Sequence, residues 1–482
     1  MKKVPENAIY LGAPLFTSRS RSKDFKYLQE KLEARLNGWR SKSLSWAGRC
    51  TLIKSVTQAI PAYTFFTFDV PIGVCDKLDF ITRRFWWNPK KNSGRFLAWK
   101  SWDHLCNSKN SGGLGFRKAK DFNEALIAKI TWMIASNRNT PCMVALRSKY
   151  KGNENWLREE PRKFASNSWK AVESMKKLIT KGACFLIGDG NSIDVWKVPW
   201  VPWIHGFIPK PRTPSLAYLP ISVAELIDPT TNSWIDAKLS ELFDDESITA
   251  IKRIVLPSAP RPNKLIWILN PKGNFTVKSA IRANQVNVDE ASNEYWKKIW
   301  KLKIHDRYKL LVWRIATGIL PTKLNIAHKM GITDTCCPLC HMNEESIEHL
   351  FFQCSISRAI WFGTSWAIHS SRLSLASCQD ILKLICEPPI FTAAESSKAK
   401  DILLQTSIQF AITLDCIWNL RNQVVFEDLQ VNLLVQIKNL ETRIMEHINA
   451  LEDPSEFGLN KPYSAKYWTA PPPGSMKLNV DD

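Results

Sequence analysis

The chain has 482 residues, 45% of them hydrophobic and 23% charged, which suits several packed domains and excludes a disordered or fibrous polymer. Lysine and arginine total 66 against 45 acids, a net charge of +21. No stretch approaches the roughly 18 uninterrupted apolar residues of a membrane span, and "MKKVPENAIYLGAPL" has no apolar core of signal-peptide length. An intracellular chain with no membrane partner is the expectation.

The charge is unevenly placed. Residues 1–150 hold 27 basic and 10 acidic side chains, a balance of +17, and the remaining 332 residues carry only +4. A basic region beside a nearly neutral remainder is the footprint of a polyanion binder, with RNA or DNA favoured over a membrane surface.

In chain order, residues 23–60 read as helix. Phe25, Leu28, Leu32 and Leu36 recur at helical spacing. Gly38 is expected to end that run and Pro61 the next one. Helices are also expected at 74–87 and 120–136, the latter opening on an acidic cap in "DFNEALIAKITWMIA". The "SGGLGFR" between them lacks the Lys-Ser/Thr ending of a phosphate-binding loop, and its glycines suit positive φ at a turn. The tryptophans at 39, 46, 86, 87, 99, 102 and 132 are read mainly as core.

From 181 to 275 the pattern changes. "ACFLIGDGNSIDVWKVPWVPW" and "KLIWILNPKGNFTVKSAIRA" each read as two short strands about a turn, the second leading into a helix from about Ser279. Helices are expected again at 294–317, 321–330 and 400–451. In the last of these, Leu433, Ile437, Leu440, Ile444, Ile448 and Leu451 form one apolar stripe, a surface that permits a protein partner. A proline-rich linker follows. The fold class is therefore mainly α with small β-hairpins (α+β). Its regions are 1–150 (basic, helical), 151–278 (Trp/Pro-rich, with hairpins), 279–370 (Cys/His-bearing), 371–452 (helical) and 453–482 (opening on the proline-rich linker).

"CPLCHMNEESIEHLFFQC" places Cys337, Cys340, His349 and Cys354 within eighteen positions. Three thiolates and one imidazole suit tetrahedral zinc and leave no position open for water, which makes the site structural rather than catalytic. Cys336 competes with Cys337 as a ligand, and His341 with His349.

"YLGAPL", "LNGWRSKSLSWAGRCTLIKSV", "AIPAY", "FWW", "GGLGFR", "NEALIAK", "LLVWRIATGILPT" and "WNLRNQVVF" resemble, in this order, plant LINE-type non-LTR retrotransposon reverse transcriptases downstream of the polymerase palm. The Cys/His stretch resembles their zinc-binding domain. The resemblance implies that 1–150 is like a thumb and connection, holding a template–primer duplex by its phosphates. Arg40, Lys42, Arg49, Lys54, Arg83 and Arg84 are the candidate contacts. It also implies that "YWTAPPPGSMKLNVDD" is the start of an RNase H domain, with Asp481 matching the first catalytic carboxylate and Asp482 standing where the family has Gly. One carboxylate cannot hold two metal ions, and no paired-Asp palm motif precedes Tyr10. The expected function is thus a non-catalytic fragment of the polyprotein that binds RNA or DNA backbone without sequence preference, carries structural zinc, and resides in the nucleus. The alternatives are ribonuclease H or polymerase-related activity, and a zinc-containing protein-interaction module.

Overall fold

The computed structural model describes residues 9–452, except 11–12, 15–17, 19, 41, 91–92, 151–155, 158, 161–163, 260, 285–293, 374, 376 and 389–396. The expected linker and RNase H start at 453–482, with Asp481 and Asp482, lie outside the described residues. The chain divides into two compact units, Met1–Ser108 with Gly113–Ala291, and Lys109–Gly112 with Ser292–Asp482. No described helix is long and apolar enough to cross a membrane.

The first unit is built on α1 (Lys26–Arg40), α2 (Ile72–Trp87) and α3 (Ala119–Ala135). Helix α1 buries Leu28, Leu32 and Leu36 against α2, the stripe its spacing announces. Gly38 does not end it, and the helix continues to Arg40. A glycine inside a helix costs only about 1 kcal/mol, less than the packing of the flanking apolar residues supplies. The following helical segment, Trp46–Leu52, runs into a wider turn at Ile53–Thr57.

Helix α3 is positioned by polar groups far away in sequence. Its expected acidic cap is not its own: Lys118 occupies the N-cap position with no side-chain cap. Instead, Asp79 of α2 accepts the Ala119 N–H at 3.0 Å. Asn123 is fully buried. Its amide donates to the Phe65 and Phe68 carbonyls and its oxygen accepts the Val70 N–H, so one side chain fastens the end of the 62–67 helix. In the turn before α3, Gly112 and Gly115 have φ of 78° and 67°, the left-handed region glycine tolerates.

The strands at 183 and 264 do not form two local hairpins. β1 (Ala183–Leu186) pairs antiparallel with β2 (Lys264–Trp267), Ala183 facing Trp267. Each finds its partner across the intervening loops instead of in its own run. Those loops have their own core around Trp200, Val201, Leu226, Leu239 and Phe243. Small local hairpins occur instead at Ile9–Tyr10 with Ala13–Pro14 and at Ile227–Asp228 with Ser233–Trp234. Helix α4 (Val277–Asn284) closes the unit against α3.

The second unit contains α5 (Glu294–Lys301), α6 (Asp306–Ala316), α7 (Lys323–Met330), α8 (Ser355–Gly363), α9 (Cys378–Cys386), α10 (Ser397–Glu427) and α11 (Leu433–Glu452). Asp415 of α10 joins three of them: it receives Arg307, Arg443 at 2.7 Å and the Asn419 amide at 2.9 Å. The Trp313 indole of α6 donates to the Gly112 carbonyl at 2.7 Å. Leu440 and Ile444 of the expected apolar stripe are buried.

Burial pushes the Asp79 carboxyl up from 3.8 to about 7. A carboxyl raised by folding adds stability that is complete below its unfolded pKa and is lost as pH rises through the folded one. Urea unfolding from pH 4 to pH 8 should therefore show a decline on the order of 2–4 kcal/mol, and Asp79→Asn should flatten it.

Candidate metal centre

The 336–354 segment buries Leu339, Ile347, Leu350, Phe351 and Phe352, and hydrogen bonds shape it locally. The Cys337 N–H donates to the Asn343 carbonyl at 2.7 Å, and the His341 N–H donates back to the Cys337 carbonyl at 3.0 Å. His341 takes a φ of 55°, and this turn aims Cys337 and Cys340 the same way. His349 opens a single wide turn, His349–Gln353, that ends at Cys354, the residue before α8.

Three side chains outside that turn satisfy its carbonyls. Ser357 donates to Leu350, the Trp361 indole to Phe351 and Ser370 to Phe352, at 2.5, 2.7 and 2.8 Å. Carbonyls left without an in-register helical partner would otherwise be buried at a cost of about 1–3 kcal/mol each. The turn is therefore held by its surroundings, and with it the direction of His349.

The donor atoms of Cys337, Cys340, His349 and Cys354 lie within 4.8 Å of one another. Cys340 Sγ and His349 Nε2 are 3.3 Å apart. Cys337 and Cys354 are fully buried and His349 is 5% exposed. Among the described residues this is the one group of three or more His, Cys, Asp or Glu side chains placed to share a metal. Cys336 and His341 are not in it; His341 is exposed. Burial holds the His349 imidazole below its usual range, in the direction of the neutral form that ligates. The hydrogen bond between Cys337 and Cys354 pushes the first thiol up and the second down. Ligation by a dication requires thiolates, so metal binding here would release protons. Soft thiolates with one imidazole, four donors and a buried pocket fit zinc.

The loop is tied to the helices by Glu345. This carboxylate is fully buried. It accepts Arg421 Nε and Nη2 of α10 at 2.6 and 2.8 Å, and the Lys323 N–H at the start of α7 at 2.6 Å. A paired fork and a helix N-terminus satisfy the charge from two sides.

The six basic candidates in the first unit do not share one environment. Arg49 is 8% exposed; its guanidinium donates to the Trp86 carbonyl at 2.7 Å and stacks on Trp46 at 4.0 Å. Burial pushes it down to about 10. Arg84 is equally buried and lies over Phe80 and Phe96, as the half-buried Arg83 does. Arg49 and Arg84 thus differ from the expected phosphate-facing position: aromatic rings and a backbone carbonyl take their guanidinia inward. Arg40 is half-buried and donates to the Pro89 carbonyl at 3.2 Å, Lys54 is half-buried near Phe116, and Lys42 is exposed. Glu345 and Arg421 escaped the sequence reading, since nothing in their spacing joins residues 76 positions apart.

Fold and site together define a helical frame carrying a Cys3His zinc-type module. Residues 275–361 match the family described as zinc-binding in reverse transcriptase. A putative ribonuclease H protein of Arabidopsis thaliana is 26% identical over 361 residues, covering 72% of this chain and 57% of that protein. An uncharacterized mitochondrial protein of the same plant is 33% identical over 145 residues, covering 30% of this chain and 94% of that protein. The chain belongs to the plant LINE-type non-LTR retrotransposon reverse transcriptases, in the region that carries their zinc-binding domain. It spans little more than half the length of the ribonuclease H relative.

Zinc titration against a chromophoric chelator should give one site per chain. Cys340→Ser should abolish tight binding, and Glu345→Gln, which leaves the buried Arg421 without its carboxylate, should lower stability by about 3–5 kcal/mol. Cys336→Ser and His341→Ala should leave affinity unchanged. Loss of zinc in either of the last two would move the ligand set.

Proposed function

We propose that this chain holds a nucleic acid by its phosphates for a reverse transcriptase, with zinc serving structure rather than chemistry. The observation that carries this reading is the +17 balance of residues 1–150, once the arginines turned inward are set aside. Lys31, Arg35 and Lys42, on and just after α1, remain exposed, as do Lys77, Lys90 and Arg95. Phosphate contacts by such side chains fix position on a duplex without reading its bases, so RNA–DNA hybrid and mixed-sequence duplexes are equal substrates. Arg40, Lys54 and Arg83 keep partial solvent access and stand as flanking contacts.

A holding role also accounts for the metal site. Three sulfurs and one nitrogen complete a tetrahedron, so the ion would serve as a clasp whose binding energy is folding energy. The nucleus is the compartment the family's life cycle implies for this role.

Binding of a mixed-sequence hybrid, followed across 50–300 mM salt, should weaken linearly on a log–log plot. The Lys31→Gln/Arg35→Gln/Lys42→Gln variant should lower that slope by about 2–3, near 0.9 per lost phosphate contact. Arg49→Gln should leave the slope alone and lower stability. Salt-insensitive binding, or Mg2+-dependent cleavage of the hybrid by the purified chain, would overturn the reading.

A further inference from the structure

Helices α10 and α11 pack through Leu420, Leu440 and Ile444, and above that contact they leave a groove of about 700 Å³. Its walls are unusual for a helix pair. Asn422 and Gln423 line it from α10, Gln436 and Asn439 from α11. Gln436 and Asn439 stand three apart on one face of α11, and on α10 Gln423 follows the groove-lining Asn419 by four and Leu420 by three. The side chains of Gln423, Gln436 and Asn439 make no hydrogen bond among the described residues, whereas Asn422 accepts from Arg421. A carboxamide brings one acceptor and two donors, and a cleft lined by idle ones is made to meet a ligand that itself alternates donors and acceptors.

The rim adds charge and an aromatic ring. Glu427 and Glu446 border the groove, both exposed and without an ion pair among the described residues. Phe426 stands beside them 77% exposed. The groove's one cation, Arg443, is committed to Asp415 at 2.7 Å. Phosphates would meet two carboxylates here and no available positive charge, which argues against a nucleic-acid strand. An extended polypeptide has the alternating N–H and C=O groups the amides match. Its lysine or arginine side chains would lay their stems on Phe426 and their charges beside Glu427 and Glu446.

We propose that the α10–α11 groove binds an extended, lysine- or arginine-bearing peptide segment of a partner protein, with its backbone on the carboxamides and its cations on the two glutamates. This inference is independent of the phosphate-holding role of the first unit. The net charge of +21 repels a basic peptide from the protein as a whole, so capture of one must come from a local acidic feature.

The test is fluorescence anisotropy of a labelled nine-residue peptide of alternating lysine and threonine, titrated with the full zinc-loaded chain at 100 mM salt. Saturable binding is expected, weakened about tenfold by Glu427→Gln/Glu446→Gln and to a similar degree by Gln436→Ala/Asn439→Ala. The matching glutamate–threonine peptide should not bind. All four substitutions fall at half-buried or exposed positions, and thermal melts of the variants should superimpose on wild type. Absence of peptide binding, or equal binding by wild type and both variants, would overturn the proposal. So would displacement of the peptide by oligothymidylate that the same substitutions abolish, which would assign the groove to a nucleic acid. Self-association lost on Glu427→Gln/Glu446→Gln would assign it to a second copy.

Discussion

Glu345 sits where the metal-binding loop, the N-terminus of α7 and Arg421 of α10 meet, and it is fully buried. A charge there is tolerated only while all its partners stay in place, because a lone buried carboxylate or guanidinium is expensive. The loop that carries it also draws Cys337, Cys340, His349 and Cys354 together. On the proposed role of zinc as a structural clasp, a bound ion would shape the loop, and the Glu345–Arg421 pair would transmit that shape to α10. Asp415, six positions earlier on α10, repeats the device with Arg307 and Arg443.

The first unit solves a different problem. It concentrates positive charge and must keep that charge on the surface without losing a core. Large aromatic residues supply the core: Trp86, Trp102 and Trp132 are buried, and Trp46 packs edge-on to Trp86 at 4.8 Å. Arg49 and Arg84 enter that core because a guanidinium is weakly hydrated and stacks on rings. Charge counted over the region thus overstates the charge on its surface, where Lys31, Arg35 and Lys42 on and after α1 stay exposed.

Much of this was legible from residue spacing. The stripes at 28, 32 and 36 and at 440 and 444 went inside, and positive φ fell on glycines of the 111–117 turn. Cys337, Cys340, His349 and Cys354 converged because a Cys-x2-Cys turn and a one-turn helix are local devices. What escaped the sequence reading is non-local. Asp79 caps a helix 40 positions away, Asn123 reaches back more than 50, and β1 finds β2 instead of a hairpin mate. Such contacts carry no period, because a single polar side chain makes each of them. Gly38 failed as a helix end because a small propensity cost lost to packing.

The central claim is that metal binding and the order of α10 are one event. Hydrogen-exchange mass spectrometry of the full chain, with zinc and after chelation, tests it most directly. Chelation should remove protection from residues 336–354 and from α10 around Arg421 together, while α2 and α3 keep theirs. Loss confined to the loop, with α10 unchanged, would contradict the account, as would a uniform loss across the chain.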